Sequence, residues 1–374
     1  MKVDEFLVEK FLNAYEHNVE VNLGETCVEP FTLGEFLKLI ECERFFNNFK
    51  KAQLTYGFVE GDPELRKGLA SLYKNMRAEN IITTLGAIGA NFLVFYSLVD
   101  PGDTVISIFP TYQQLYSVPK SFGANVKLLR LRPENGWIPE TNELSKLIDE
   151  KTKLIVINNP HNPSGSLINA ELLKEICSLA EDADAYVLCD ESYRGLYIKP
   201  RDYVPSAVDL SDRAIATGSF SKAFSLSGLR LGWIAADENI IKECMLHRDY
   251  TTISTGIIDN ALAALAIKHK DRIYERNLKI LRTNHEILTK WIENENLIDW
   301  VPPKAGSVAF LKYKMNVSSK ELCLRLIREK KTLLVPGSCF EMEGYLRIGY
   351  GCKTQTLTEG LLRFKQILNS YHQG

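Results

Sequence analysis

A lysine follows two closely spaced serines in Ser219-Phe220-Ser221-Lys222, and an arginine comes shortly after in Gly228-Leu229-Arg230-Leu231-Gly232-Trp233. A lysine amine can attack a carbonyl to form a Schiff base. Ser219, Ser221 and Arg230 are residue types that donate hydrogen bonds to phosphate. Asp190 opens Asp190-Glu191-Ser192-Tyr193 directly after an apolar run. A carboxylate there is costly to bury unless a cation or donors meet it. Asn158-Asn159-Pro160-His161-Asn162-Pro163-Ser164-Gly165 contains two X-Pro steps and a closing glycine. Such a stiff loop can aim an asparagine amide into a cleft. Leu85-Gly86-Ala87-Ile88-Gly89 offers a glycine-bearing turn at a helix start, where backbone amides attract an anion. Taken singly, these are also a turn, a structural loop, a helix cap at Asp190 and a surface lysine. The chain has neither GxGxxG after a strand nor GxxxxGK[ST], so no dinucleotide or Walker-type site is predicted.

Position in the chain gives these motifs a common purpose. Residues 81–84, 104–108, 154–157, 186–189, 214–217 and 231–235 read as nearly all-apolar strands separated by helical stretches. That pattern predicts an α/β domain whose mainly parallel sheet is buried on both faces. Ligands of such sheets bind beyond the carboxyl ends of the strands, and each motif above follows a strand. Upstream, Asp62-Pro63 reads as a helix N-cap and first-turn proline, with Leu65, Leu69, Leu72 and Met76 on one helical face. After residue 256 the pattern turns to long helices as far as 294. A mixed region over 300–350 and a last helix over 356–371 follow. The expected division is a large domain over 45–255 and a smaller α+β domain formed by 1–44 and 256–374.

Composition narrows the classes further. With 45% hydrophobic and 25% charged residues, the 374-residue chain has ordinary globular content. Its 45 basic residues nearly balance its 47 acidic ones, so neither nucleic acid nor an anionic membrane is an expected partner. No two of the eight cysteines stand at CxxC spacing and no HExxH occurs, so no metal is predicted. Scattered cysteines read as reduced thiols of a cytoplasmic protein. The N-terminal stretch is amphipathic and acidic rather than a signal peptide, and no apolar run reaches ~18 residues.

In combination, the asparagine-proline loop, Asp190-Glu191-Ser192-Tyr193, Ser219-Phe220-Ser221-Lys222 and Gly228-Leu229-Arg230-Leu231-Gly232-Trp233 resemble class I/II aminotransferases. These are pyridoxal-phosphate enzymes of fold type I. The likeness extends from Tyr56-Gly57 and Gly61 to Leu346-Arg347-Ile348-Gly349. It implies a large domain with a mainly parallel sheet sandwiched by helices, a smaller α+β domain, and pyridoxal 5'-phosphate as cofactor. Lys222 would carry the cofactor as a Schiff base, and Asp190 would pair with the pyridine nitrogen. Asn162 and Tyr193 would bond the phenolic oxygen, and Tyr112 would stack on the ring. Gly86, Ala87, Ser219, Ser221 and Arg230 would bind the phosphate. By the same resemblance Tyr56 reaches the neighbouring subunit's phosphate, implying a homodimer with shared active sites. Arg347 would clamp a substrate α-carboxylate, with Asn162 nearby. The implied activity moves an amino group from an amino acid to a 2-oxo acid.

The chain departs from the family where many members carry a Gly-x-Pro-Asp-like segment lining the substrate pocket. Here the stretch reads Asn22-Leu23-Gly24-Glu25-Thr26-Cys27-Val28-Glu29-Pro30, which places Gly24 and Glu25 toward substrate. Leu131-Arg132-Pro133-Glu134-Asn135-Gly136, Arg248-Asp249-Tyr250 and Val335-Pro336-Gly337 resemble a family member that cyclises a hydroxylated arginine derivative. An alternative is therefore a cyclase, lyase or oxidase using the same cofactor on an arginine-like amino acid, with Glu25 or Asp249 meeting the guanidinium. A non-catalytic effector domain of a regulator is a further class. It would require a DNA-binding extension, for which residues 1–21 are too short and too acidic.

Overall fold

A computed structural model describes residues 2–371. A short strand, β1 (Val21–Asn22), precedes the strands of the main sheet. These are β2 (Ile81–Thr84), β3 (Thr104–Phe109), β4 (Asn125–Arg130), β5 (Thr152–Asn158), β6 (Tyr186–Asp190), β7 (Ala214–Ser219) and β8 (Gly232–Ala235). Their order is β2-β8-β7-β6-β5-β3-β4. The pairings among β3 to β7 are parallel, and β8 alone runs antiparallel to both its neighbours. The β7–β8 connection carries Lys222 and forms only a single 3-10 turn at Ser227–Leu229 instead of a crossover helix, so the chain turns back beside β7. Because β8 is flanked antiparallel on both sides, β2 points the same way as β7. The carboxyl ends of β2, β3, β5, β6 and β7 therefore open on one edge.

Side chains alternate across this sheet. Val105, Val156, Leu188, Ile215 and Ile234 enter one apolar layer, while Ile106, Ile155, Val187, Cys189 and Ala216 enter the other. Both faces are dry, as the all-apolar strands require. Helix Gly86–Leu98 packs on β7, β8 and helix Glu238–Arg248 on one side, and helix Ala170–Asp182 lies against β6. The strand β4 had no clear sequence signal because it is an edge strand whose residues are mostly half-buried or exposed.

The C-terminal part contains helices Ile257–Lys268 and Lys270–Glu293, then β9 (Ile298–Trp300), β10 (Val308–Tyr313), helix Ser319–Lys330, β11 (Thr332–Leu333), β12 (Val335–Pro336), β13 (Tyr345–Gly349) and helix Thr354–Asn369. An antiparallel sheet of order β12-β13-β10-β9 forms its centre. β1 pairs in parallel with β11, Val21 facing Thr332, which ties the N-terminal segment to this part. The cap at Asp62 forms as expected, its Oδ1 accepting from the N–H of Glu64 and Leu65 at 2.9 and 3.1 Å. The helix it starts stops at Ala70, short of Leu72 and Met76. Tertiary bonding overrides periodicity here: Tyr73 accepts a hydrogen bond from the Trp233 indole at 2.8 Å. No helix among the described residues is long and apolar enough to cross a membrane.

Candidate active site

The open sheet edge and the C-terminal part enclose a cavity of about 360 Å³, lined by side chains from the ends of β5, β6 and β7, from the start of helix Gly86–Leu98 and from β13. Its anion-binding end is assembled from the β2 and β7 exits. Gly86 has φ +71°, a left-handed conformation that glycine adopts without strain, and Ala87 follows at the helix start. A Cβ on Gly232 would overlap the backbone of Gly86 and Ala87, so glycine in β8 lets this turn sit against the sheet. Ser219 Oγ accepts from the Ser221 N–H at 2.9 Å. Arg230, itself at φ +49°, donates from Nη1 to the Ser227 carbonyl at 2.9 Å and faces the cavity. Free helix amides, two hydroxyls and a guanidinium suit a phosphate.

Asp190 closes β6 and is 5% exposed. Its Oδ2 accepts from Asn91 Nδ2 at 2.8 Å, and its Oδ1 from the Ser192 N–H at 3.0 Å. Asn91 in turn accepts from the Thr217 hydroxyl at 2.7 Å. The bond to Ser192 closes a turn rather than starting a helix. Among the described residues no lysine or arginine forms an ion pair with Asp190. A buried carboxylate held by neutral donors and facing a cavity fits a cationic ring nitrogen. Sequence reasoning missed Asn91, although a buried asparagine in the apolar helix sequence Gly86–Leu98 was the available signal.

Lys222 lies in the β7–β8 connection. Its Nζ donates to Thr26 Oγ1 at 2.5 Å, with Cys27 Sγ at 3.5 Å and Glu25 Oε1 at 4.0 Å. Burial opposes its charge, but Cys27, Tyr193 and Glu25 outweigh that and raise its pKa above the ordinary lysine value. Glu25 answers in kind. Burial works against its ionisation, yet Lys222 and the N–H groups of Cys27 and Thr26 hold its pKa down at about 2. Tyr193 is buried in the same wall, and Tyr112 lines the cavity with its hydroxyl donating to Glu9 at 3.3 Å.

Arg347, in the middle of β13, is 2% exposed. It donates to Asn162 Oδ1 at 3.2 Å and to the Gly24 carbonyl at 2.9 Å. Its Nε has no partner. A buried guanidinium lining a cavity suits a carboxylate ligand. Two expected residues lie elsewhere. Asp249 is exposed at the C-cap of helix Glu238–Arg248 and does not line the cavity, and Tyr56 is 72% exposed outside it.

The loop that carries Asn162 is pinned by His161, which is 3% exposed. His161 Nε2 lies 2.8 Å from the Pro110 carbonyl, an acceptor only, so Nε2 bears the hydrogen and Nδ1 accepts from Ser164 at 2.7 Å. Burial pushes its pKa down to about 4. Between the ordinary value near 6.5 and about 4, the unfolded chain therefore binds more protons than the folded one. This contribution is intact above about pH 6.5 and is lost as pH falls through that window, by about 3 kcal/mol in all. Urea unfolding from pH 7 to 4.5 should show a smaller loss of stability for His161→Gln than for wild type. Equal losses would show that this histidine does not carry the dependence.

A mainly parallel sheet with its strand ends around a lysine, an anion cradle and a buried carboxylate is the arrangement expected of a pyridoxal-phosphate-dependent enzyme of fold type I. The chain belongs to the aminotransferase class I and II family, which it matches over residues 43–364. It is 29% identical to capreomycidine synthase of Streptomyces vinaceus over 373 residues, covering 100% of this chain and 94% of that protein. It is 30% identical to aspartate aminotransferase of Pyrococcus horikoshii over 318 residues, 82% of this chain and 81% of that one. A crystal structure of a PLP-dependent aminotransferase from Streptococcus suis superposes with a TM-score of 0.96 at 40% identity, covering 99% of both chains. The cofactor is pyridoxal 5'-phosphate.

Proposed function

We propose that this enzyme moves an amino group from an amino acid to a 2-oxo acid, with Lys222 as the cofactor-bearing and proton-transferring residue. The observation that carries this reading is the meeting of Lys222, Asp190 and the buried guanidinium of Arg347 in one cavity. When bound, pyridoxal 5'-phosphate supplies an aldehyde for the amine and an electron sink for the electrons of the broken Cα–H bond. Ser219, Ser221, Arg230 and the amides at Gly86 and Ala87 hold the phosphate. Asp190, oriented by Asn91 and Ser192, would keep the ring nitrogen protonated, while Asn162 and Tyr193 would meet the phenolic oxygen and Tyr112 would cover the ring. Arg347 clamps the substrate carboxylate and so fixes which Cα bond faces Lys222. Lys222 Nζ, freed when the substrate amine takes its place, would accept the Cα proton and then serve as the donor for the return of a proton.

We infer two further features of this reading. The cofactor domain spans 45–255, and the remainder forms the smaller domain. The enzyme is a homodimer with shared sites: Tyr56, Phe58, Tyr250 and Ile253 are exposed apolar residues on adjoining segments, where Ser254 Oγ donates to the Tyr56 carbonyl at 2.9 Å. A sedimenting species no heavier than the 42.4 kDa chain would overturn it.

A second reading, a cyclase, lyase or oxidase acting on an arginine-like amino acid, draws on the end-to-end likeness to capreomycidine synthase. Incubating holoenzyme with a panel of amino acids, with and without 2-oxoglutarate, separates the two by product mass. Keto acids formed only with the acceptor support transamination. Products that retain the substrate nitrogen or need no acceptor support the alternative.

A further inference from the structure

The charges lining the cavity do not balance once the proposed ligands are assigned. Lys222, Arg230 and Arg347 face Asp190, Glu9, Glu16 and Glu25. If Arg230 meets the phosphate, Arg347 the α-carboxylate and Asp190 the ring nitrogen, three glutamates remain. Glu25 has Lys222 as its cation at 4.0 Å, an amine that the proposed mechanism commits to the cofactor and to the Cα proton. Both backbone N–H bonds to Glu25 end on Oε1, at 2.7 and 3.0 Å. Glu16 has only His17 beside it, at 3.4 Å. Glu9 accepts a hydrogen bond from the neutral Tyr112 hydroxyl and forms no ion pair among the described residues.

Glu9 belongs to helix Leu7–Tyr15, and its neighbours Val8 and Leu12 line the same cavity. Two apolar side chains, Val8 and Leu12, with the Glu9 carboxylate beside them match an aliphatic stem ending in a cation. The independent pointer to a ligand is Arg347, a guanidinium 2% exposed that lines the same cavity and suits a carboxylate at the other end.

We propose that the substrate is an amino acid with a cationic side chain, a guanidinium or a primary ammonium, recognised by Glu9 on the N-terminal helix together with Glu25. This rests on the reading of Arg347 as the α-carboxylate clamp. It replaces Asp249, which lies outside the cavity, by a residue with no sequence signal.

The test uses carboxylates without an α-amino group, which bind but cannot react. Holoenzyme is titrated by calorimetry with pentanoate, 5-guanidinopentanoate and 6-aminohexanoate. At least one cationic acid should bind about tenfold or more tightly than pentanoate, and the tighter of the two identifies the head group. Glu9→Gln keeps an acceptor for Tyr112, and its cationic-to-neutral ratio should fall toward one. Equal binding of all three acids would overturn the proposal while leaving the Arg347 reading intact. Failure of every acid to bind would instead overturn the Arg347 reading. An undiminished ratio in Glu9→Gln would remove Glu9 from the site.

Discussion

Lys222→Ala should abolish measurable turnover while leaving some affinity for the cofactor. Among the described residues it holds the only primary amine lining the cavity, placed by the β7–β8 connection and by Thr26. Positioned acid–base groups contribute about 10²–10⁴-fold, and loss of the covalent anchor adds to this, so the rate should fall by at least about ten-thousandfold. The phosphate cradle of Ser219, Ser221, Arg230 and the Gly86 turn does not involve the lysine and should retain the cofactor more weakly. Borohydride treatment of wild-type holoenzyme, followed by peptide mapping, should find the cofactor fixed on Lys222. A label on another lysine, or appreciable turnover by the alanine variant, would remove this residue from its assigned role.

Asp190→Asn is the second large effect expected. The side chains are isosteric and the site is fully formed by Asn91, Ser192 and Thr217, so the fold should persist. A neutral amide cannot hold a ring nitrogen protonated. Removing one member of a desolvated ion pair costs about 3–5 kcal/mol, and each 1.36 kcal/mol is tenfold in rate. A fall of at least about a hundredfold follows, with a modestly lowered thermal midpoint, because the amide NH2 replaces one of the two oxygens that accept from Asn91 and Ser192. Wild-type rates in this variant would show that Asp190 serves only to close the turn at Ser192.

Much of the site could be read from the sequence because its residues sit in short motifs, each directly after an apolar strand. Lys222 after β7, Asp190 at the end of β6 and Asn162 after β5 need only strand order and direction to meet. Burial of both sheet faces leaves a continuous apolar signal that marks those strands. Local chemistry was equally legible at Asp62, whose cap depends only on residues two and three positions away.

What the tertiary structure alone decided concerns groups whose partners are distant in sequence. Asn91 bonds Asp190 across 99 positions, and Lys222 reaches Thr26 across 196. No local pattern encodes either contact. The antiparallel β8 also escaped the sequence, since strand direction leaves no mark on residue type. Its reversal goes with a β7–β8 connection that folds into the Lys222 loop rather than into a crossover helix. Glu9 and Asp249 show the limit most clearly. Both are acids on helices, and motif position favoured Asp249, yet only the packing of the N-terminal helix over the sheet edge puts Glu9 at the cavity. Side-chain chemistry is a local property, but which carboxylate meets a ligand depends on the long-range burial that brings two ends of the chain together.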